Sequence, residues 1–569
     1  MSKQIEIYDT TLRDGTQGEA INFSVADKCR IAEELDALGV DFIEGGWPGS
    51  NPRDVAFFNE VRSLKLHHAR VTAFGATRRS SLSCETDPSI QSLLQAETTV
   101  VTIFGKSWEL HVREALRIGL EENLEIIADS VRYLSARVPL VIYDAEHFFD
   151  GYRSNAEYAL QTLLVAAQTG AARIVLCDTN GGSLPQDVER ITREVTEKVN
   201  VPIGIHCHND GELAVANTLA AVLAGATHVQ GTINGYGERC GNANLCSVIP
   251  NLELKLGREV MGPGRLRKLR ETACFVSELA NLELASSAAF VGASAFAHKG
   301  GVHVSAVERN PLTYEHVAPE LIGNRRRILV SDLSGRANLQ AKARELNLEF
   351  AGEQRILDEL KRLEHEGFEF EAAEASFELL VHKLRNEPEP FFELLAFRVI
   401  DEHRGAATPL SEATVKIKVG DTVEHTAATG TGPVNALDQA LRRALAEFYP
   451  SLAEMRLIDY KVRVINSTLS GTASLVRVLI TSSDGKTSWR TVGVSSNIVE
   501  ASWRGLVDSV EFKLMKDGVE PTYRSDLRLA IEKGIAISAK GAEYDSQGQV
   551  RSEASTSPLV ANSAFNIQP

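Results

Sequence analysis

The sequence lacks paired cysteines and long apolar runs. Its seven cysteines include no Cys-x-x-Cys pair, which argues against a disulfide framework or a zinc ribbon and is typical of reduced thiols in the cytosol. No run of about 18 apolar residues occurs, so we expect no membrane span. Residues 1–6 predict a strand at once and leave no room for a targeting peptide. We therefore expect a cytoplasmic protein.

Basic residues are also fewer than acidic residues. The chain has 60 Lys and Arg against 76 Asp and Glu, a net charge of -16, which argues against a nucleic-acid or anionic-membrane partner. Its one dense basic run, Arg325-Arg326-Arg327, is too short to change this expectation. The length of 569 residues, with 43% hydrophobic residues, suffices for two or more domains.

The first part of the chain alternates short β-rich runs with longer helical patterns. Strands are predicted at 5–8, 42–44, 71–74, 100–104, 140–143, 174–177, 203–207 and 228–233. The first helical pattern has a capping serine, Ser24, with Asp27 three residues later, and it stops at Gly39. Eight β-then-α units within about 250 residues predict a (β/α)8 TIM barrel.

Polar residues collect where these strands end. They are Asp9, Arg13, Asp14, Glu44, Glu146, Asp178, Thr179, His206, His208, Asn234, Glu238 and Asn242. Barrel enzymes place their chemistry at this C-terminal rim, where loops from different strands converge. The distribution therefore favours an active site over a purely structural barrel.

A metal site is the sharpest hypothesis at this rim. His206 and His208 are two residues apart on a predicted strand, so both imidazoles face the same side and can reach one metal ion. Asp14 is the best candidate for the accompanying acid, giving a 2-His-1-carboxylate site with open positions. The alternative is that the histidines are satisfied core residues and that Arg13 and Asp14 form an ordinary ion pair.

Three motifs carry a family resemblance. DTTLRDGTQ at 9–17, HCHND at 206–210 and GERCGNANL at 237–245 resemble the metal-dependent Claisen-condensing barrels of 2-isopropylmalate, homocitrate and citramalate synthases, relatives of hydroxymethylglutaryl-CoA lyase. The resemblance covers roughly residues 3–540. Within the family, EGGWPGSNPRD at 44–54 is most similar to the citramalate synthase branch.

The resemblance implies a role for each motif residue. Asp14, His206 and His208 match the ligands of a divalent metal (Mg, Mn or Zn), with Asn242 completing its coordination directly or through water. Arg13 matches the arginine that polarises the keto group. Glu146 matches the catalytic glutamate, although its neighbours differ from the commoner Ser-Ala-Glu-Asp form. Thr179 matches a contact to the keto-acid carboxylate.

Further contacts are expected outside these motifs. Phe74, Phe104 and Tyr143 end successive strands and are expected to narrow the substrate pocket, the alternative being simple barrel packing. The resemblance implies that His303, in AHKGGVH at 297–303, assists catalysis from a linker that reaches a partner subunit's site. Asn310 and Tyr314 follow it as expected substrate contacts.

The chain beyond the barrel divides into further regions. We expect the barrel at 1–270, helical linker subdomains at 271–400, an α+β domain at 405–540 and a disordered tail at 541–569. In the third region strands are predicted at 413–419, 423–428, 460–465, 473–482 and 486–494, with helices at 435–448 and 498–513. These elements indicate a duplicated strand-strand-helix unit.

The resemblance implies both an activity and its regulation. The barrel is expected to condense acetyl-CoA with a 2-oxo acid, pyruvate in the citramalate branch, in a homodimer. The duplicated domain resembles the family's regulatory domain, which binds an end-product amino acid such as isoleucine. The alternatives are a 2-isopropylmalate or homocitrate synthase, a lyase running the reverse chemistry, a non-haem iron oxygenase, or a ligand sensor on an inactive barrel.

Overall fold

Eight parallel strands close into a barrel in the computed structural model, which describes residues 5–329, 353–386, 390–402, 410–465 and 474–521. In chain order the strands are β1 (Glu6–Asp9), β2 (Phe42–Gly46), β3 (Arg70–Ala76), β4 (Val100–Lys106), β5 (Leu140–Glu146), β6 (Arg173–Asp178), β7 (Ile203–Cys207) and β8 (His228–Gly231). Each pairs with the next, and β1 pairs with β8. The predicted (β/α)8 barrel is confirmed.

Helices lie between the barrel strands and after the last one. They are α1 (Val25–Leu38), α2 (Pro52–Val61), α3 (Pro88–Gln95), α4 (Leu120–Ser135), α5 (Phe148–Ser154), α6 (Ala156–Thr169), α7 (Pro185–Lys198), α8 (Ala214–Leu223), α9 (Leu245–Pro250) and α10 (Leu269–Leu279). The start of α1 follows the predicted capping box, because the Ser24 side chain accepts from the Asp27 N–H while the Asp27 carboxylate accepts from the Ser24 N–H. Gly39 ends the helix at φ 103°, a conformation that favours glycine.

The barrel interior is filled below the rim. Tyr8, Phe42, Val100, Ile142 and Val175 are fully buried and form one cluster inside the closed sheet. Side chains alternate along each strand, so the intervening residues face the helices instead. This apolar layer lies below the C-terminal rim, where the polar residues of the cavity collect.

The chain continues into a second compact unit, which holds residues 299–308 and the described residues from 328 onward. The helices after the barrel are α11 (Gly301–Arg309), α12 (Glu353–His365), α13 (Glu374–Asn386), α14 (Pro433–Leu445) and α15 (Ile498–Lys516). Two short strands, β9 (Ala297–His298) and β10 (Arg327–Ile328), precede six longer ones: β11 (Glu393–Glu402), β12 (Leu410–Val419), β13 (Thr422–Gly430), β14 (Arg456–Ile465), β15 (Leu475–Ser483) and β16 (Ser488–Ser495).

The duplication is present, but each repeat has three strands and not two. β11, β12 and β13 form one antiparallel sheet, and β14, β15 and β16 form another. The prediction placed β11 in the helical linker, because most of its residues are exposed and its sequence carries no clear apolar alternation. Helix α14 buries Ala436, Leu437, Ala440, Leu441, Ala444 and Leu445 on one face, at the spacing of an amphipathic helix.

Two predicted regions lie partly or wholly outside the described residues. Residues 330–352 and 387–389 of the predicted helical linker and all of the predicted tail at 541–569 belong to this group. In the part of the chain that the structure describes, no helix combines the length and the apolar character that a membrane crossing needs.

Candidate metal centre and active site

A cavity of about 200 Å³ opens at the C-terminal rim of the barrel. Its lining residues are Arg13, Asp14, Gln17, Trp47, Phe74, Phe104, Asp144, Glu146, Cys177, Thr179, His206, His208 and Glu238. The loops after several strands thus bring together residues that are far apart in sequence. Among the predicted site residues, the metal candidates Asp14, His206 and His208 lie here with Arg13, Glu146 and Thr179.

Three buried donors converge on one point of this cavity. The Nε2 atoms of His206 and His208 are 3.3 Å apart, and Asp14 Oδ2 lies 3.3 Å from the first and 4.0 Å from the second. Bonds of about 2.0–2.2 Å at near-tetrahedral or octahedral angles separate ligand atoms by roughly 3.0–3.5 Å. The two separations of 3.3 Å fall in this range, and all three donor atoms lie within 4.8 Å of one another, so the set can converge on one divalent cation.

The surroundings orient these donors. Gln230 Oε1 accepts from His206 Nδ1 at 3.0 Å, so that Nε2 is directed at Asp14, and Gln230 Nε2 donates to Asp144 Oδ1 at 3.1 Å. Asn242 Nδ2 donates to Asp14 Oδ2 at 2.8 Å. Its Oδ1 is buried without a hydrogen-bond partner among the described residues, as suits a group that completes the coordination of an ion.

Charge is balanced tightly around the three donors. Although burial raises the pKa of Asp14, Arg13 and His206 hold it well below its ordinary value. Burial and the neighbouring His206 lower the pKa of His208 to about 3, so His208 is neutral at pH 7. An ionised carboxylate and a neutral imidazole are the forms that bind a metal ion.

Arg13 is held in place by a fully buried carboxylate. Arg13 Nε donates to Glu44 Oε1 at 2.5 Å, and the Tyr8 hydroxyl donates to Glu44 Oε2 at 2.6 Å. The guanidinium carbon also lies 3.9 Å above the centre of the Phe74 ring. Burial lowers the pKa of Arg13, but Asp14 and Glu44 raise it above its ordinary value, so the cation is permanent.

Glu146 and Thr179 also line the cavity, at the ends of β5 and β6. Glu146 ends β5, and its side chain is 23% exposed. The Thr179 hydroxyl accepts from the backbone N–H of His147 at 2.9 Å, which leaves the hydroxyl proton free to be donated into the cavity. The same bond fixes His147, whose φ is 56°, directly after Glu146.

The structure corrects the expectation for Tyr143. Asp144 and Glu146 line the cavity, and strand alternation turns Tyr143 to the helix layer, where it is fully buried. Asp144 takes the inward position that was expected for Tyr143. Burial and the nearby Glu44 raise the pKa of Asp144 to about 7.

The remaining predicted site residues lie elsewhere. Asn310 accepts from the Leu312 N–H at 3.1 Å and caps a short helical turn, and both Asn310 and Tyr314 are exposed and do not line the cavity. His303 lies on the exposed side of α11, within the residues assigned to the second unit. Its assistance in catalysis stays a prediction.

Sequence reasoning missed several residues around the cavity. Trp47 carries no periodicity signal, because it follows β2 in a loop. Gln230 had a usable signal, since it lies two residues after His228 on a strand and therefore shares its inward face. Glu44 was noted as closing β2, but only the fold shows that it reaches Arg13.

Comparisons with known proteins place these features in a family. Three family models match in succession: HMGL-like at residues 4–276, the homocitrate synthase post-HMGL domain-like model at 290–367, and the LeuA allosteric (dimerisation) domain at 371–514. The first two matches cover the barrel and the segment after it. The third covers both described sheets of the duplicated domain.

Curated relatives match nearly the whole chain. The (R)-citramalate synthase of Geobacter sulfurreducens is 58% identical, over 90% of this chain and 98% of that protein. The (R)-citramalate synthase of Aquifex aeolicus is 55% identical, over 91% of this chain and 99% of that protein. The 2-isopropylmalate synthase of Methanocaldococcus jannaschii is 32% identical, over 90% and 95%. The chain belongs to the family of 2-isopropylmalate, homocitrate and (R)-citramalate synthases.

Proposed function

We propose that this chain is an (R)-citramalate synthase that condenses acetyl-CoA with pyruvate and hydrolyses the thioester, releasing citramalate and CoA for isoleucine synthesis. The observation that carries the proposal is the 58% identity to an (R)-citramalate synthase over 98% of that protein. The cavity supports it, because a cationic arginine, a carboxylate at the mouth and a metal-binding triad meet around one small space.

Asp14, His206 and His208, with Asn242 beside them, would hold a divalent cation, which would supply Lewis-acid polarisation of the keto group of the 2-oxo acid. The ion would be Mg, Mn or Zn. Arg13 adds a fixed positive charge from the chain itself. Because Glu44 and Tyr8 hold the guanidinium, its N–H groups can stabilise the alkoxide that develops on the keto oxygen.

Glu146 is the proposed base. Its carboxylate takes a proton from the methyl group of acetyl-CoA, and the resulting enolate carbon forms a bond to the keto carbon of pyruvate. The alkoxide gains a proton, and water then cleaves the thioester, leaving citramalate and the CoA thiol. A positioned base typically contributes about 10²–10⁴-fold to such a step. Thr179 would donate its hydroxyl proton to the pyruvate carboxylate.

An aromatic wall supports pyruvate as the acceptor. Phe74 and Phe104 stack with ring centres 5.5 Å apart, and Trp47 meets both edge-on at 5.9 and 5.6 Å. A wall of packed rings favours a methyl group over a longer side chain. One methylene is worth about 1–3 kcal/mol in such a pocket, so discrimination against 2-oxobutyrate should be moderate.

Two alternatives are weaker. A 2-isopropylmalate synthase would use the same chemistry on a larger acid, but the relative of that name is only 32% identical. A hydroxyacyl-CoA lyase would need only the barrel, whereas the LeuA allosteric (dimerisation) domain matches residues 371–514 here.

The second unit suggests assembly and control. We propose that the chain forms a homodimer through its LeuA-type domain, that this domain binds isoleucine as an end-product effector, and that His303 assists the site of the partner subunit. All seven cysteines are free thiols, which supports a reducing cytoplasm as the site of action.

Release of CoA thiol from acetyl-CoA tests the function directly. The purified chain should release thiol with pyruvate in the presence of Mn²⁺ or Mg²⁺, much less with 2-oxoisovalerate or 2-oxoglutarate, and none after chelation. A preference for 2-oxoisovalerate would move the acceptor assignment to 2-isopropylmalate synthase. Silence with every 2-oxo acid would contradict the condensing activity.

A further inference from the structure

We propose that Lys106 is a positioning residue for Glu146, holding the carboxylate aimed so that it can take the acetyl-CoA proton. The inference rests on the proposed function and concerns a residue that the sequence motifs do not include. Lys106 is the last residue of β4 and Glu146 the last of β5.

The two residues are adjacent by strand register. Lys106 is the direct partner of Glu146 in the β4–β5 pairing, and its Nζ forms an ion pair with Glu146 Oε2. Their side chains are only 17% and 23% exposed, so water screens the pair less than it would at the surface. In the described residues, Lys106 is the only cationic side chain within 4.0 Å of this carboxylate.

The lysine itself is fixed from several directions. Its Nζ lies 5.3 Å from the centre of the Phe104 ring, one of the rings of the cavity wall. Its carbonyl oxygen accepts from Asn123 Nδ2 at 2.9 Å. The next residue, Ser107, donates its N–H to the Glu146 carbonyl at 3.2 Å. Hydrogen bonds therefore hold the backbone carbonyls of both Lys106 and Glu146, and the ammonium group lies beside the Phe104 ring.

This arrangement gives Lys106 a role through Glu146. Without its cation partner, the half-buried carboxylate can turn toward water, and this change takes the base away from the acetyl-CoA methyl group. Among the described residues, Lys106 forms no ion pair with Asp14, which pairs instead with Arg13, His206 and His208. Proton removal should therefore depend on Lys106 more than pyruvate binding does.

Lys106→Met tests the inference, since it keeps the apolar stem over Phe104 and removes the charge. Exchange of the acetyl-CoA methyl protons with D₂O, measured by NMR in the presence of oxamate as an unreactive pyruvate analogue, reports the base step alone. We expect exchange and kcat to fall about 10- to 100-fold, as for loss of a charge-assisted hydrogen bond. The KM for pyruvate should stay within about twofold of that of the unmodified protein.

Matched variants complete the design. Lys106→Arg should recover most of the exchange rate, because it restores a cation. If Lys106→Met does not fold by circular dichroism, Lys106→Gln replaces it, and the same loss of exchange is expected. The control is Lys198→Met, which changes an exposed lysine at the end of α7 and should leave exchange unaffected. Exchange at the unmodified rate in a folded Lys106→Met or Lys106→Gln variant would overturn the inference. Failure of the unmodified chain to release CoA would instead overturn the proposed function on which it rests.

Discussion

His206 and His208 are two residues apart in sequence, whereas Asp14, the third donor, lies in the loop after β1. Each is at most 6% exposed, so a substitution here changes a buried site, and metal binding and folding have to be measured separately in each variant.

We expect His206→Ala to abolish Mn²⁺ binding and to lower thiol release by at least about 100-fold. The substitution removes one of the three metal ligands together with the hydrogen bond to Gln230 that orients it. Binding is measured by electron paramagnetic resonance, and turnover by the thiol assay. The far-ultraviolet circular dichroism should be unchanged. His425→Ala, in a histidine of the second unit, serves as the control. Normal Mn²⁺ affinity in His206→Ala would contradict the metal assignment.

At the scale of elements, the N-terminal ends of the strands carry a second polar network that has no part in the chemistry. Glu6 on β1 accepts from Arg173 Nε and Nη2 on β6 at 2.9 and 2.8 Å, and His228 Nδ1 on β8 lies 3.3 Å from the same carboxylate. Three strands are thus tied together at the closed end of the barrel. The tie serves stability, since active sites of barrels lie at the opposite end.

This network predicts an acid-dependent loss of stability. Burial alone would raise the pKa of Glu6, but hydrogen bonds from Arg173 and His228 hold it below its ordinary value of 4.5. A carboxylate whose pKa is lower in the folded than in the unfolded protein stabilises the fold at pH values above its ordinary pKa. This contribution is lost as the pH falls below that ordinary pKa toward the lowered one.

Glu6→Gln should therefore lower the free energy of unfolding by about 1–3 kcal/mol at pH 7, and the difference should shrink as the pH falls from about 5 to 3. Urea unfolding across this pH range measures it. Glu189→Gln, which affects only an exposed pair with Arg193 on α7, should show no such dependence. A difference that grows toward low pH would contradict a lowered pKa for Glu6 in the folded protein.

At the scale of the whole molecule, the duplicated domain offers two sheets with a helix packed on each, and a shared apolar core joins the two repeats. Helix α15 buries Ala501, Leu506, Val510 and Leu514 in this core. The two repeats therefore share one apolar core.

Isoleucine should lower the rate of thiol release and raise the melting temperature, because a ligand that binds only the folded domain stabilises it in proportion to its occupancy. Turnover and thermal unfolding across an isoleucine titration provide the test, with lysine as the control amino acid. Sedimentation should report a dimer throughout. An unchanged rate and melting temperature would count against isoleucine as the effector.

The sequence by itself determined what depends on neighbours along the chain. The capping box of α1, the inward pair His206 and His208, and the order of eight strands all follow from short spacings, because local hydrogen bonds and side-chain alternation act over a few residues. The three motifs also identified the family.

Only the tertiary structure decided which distant residues meet. Lys106 reaches Glu146 across 40 residues because strand register pairs the two residues. Glu44 on β2 reaches Arg13 across 31 residues because Arg13 lies in the loop after β1, which is the neighbour of β2. Asp144 faces the cavity in place of Tyr143 for a related reason. A shift of one residue along a strand turns a side chain from the cavity to the helices, and closure of the barrel sets which residues face inward.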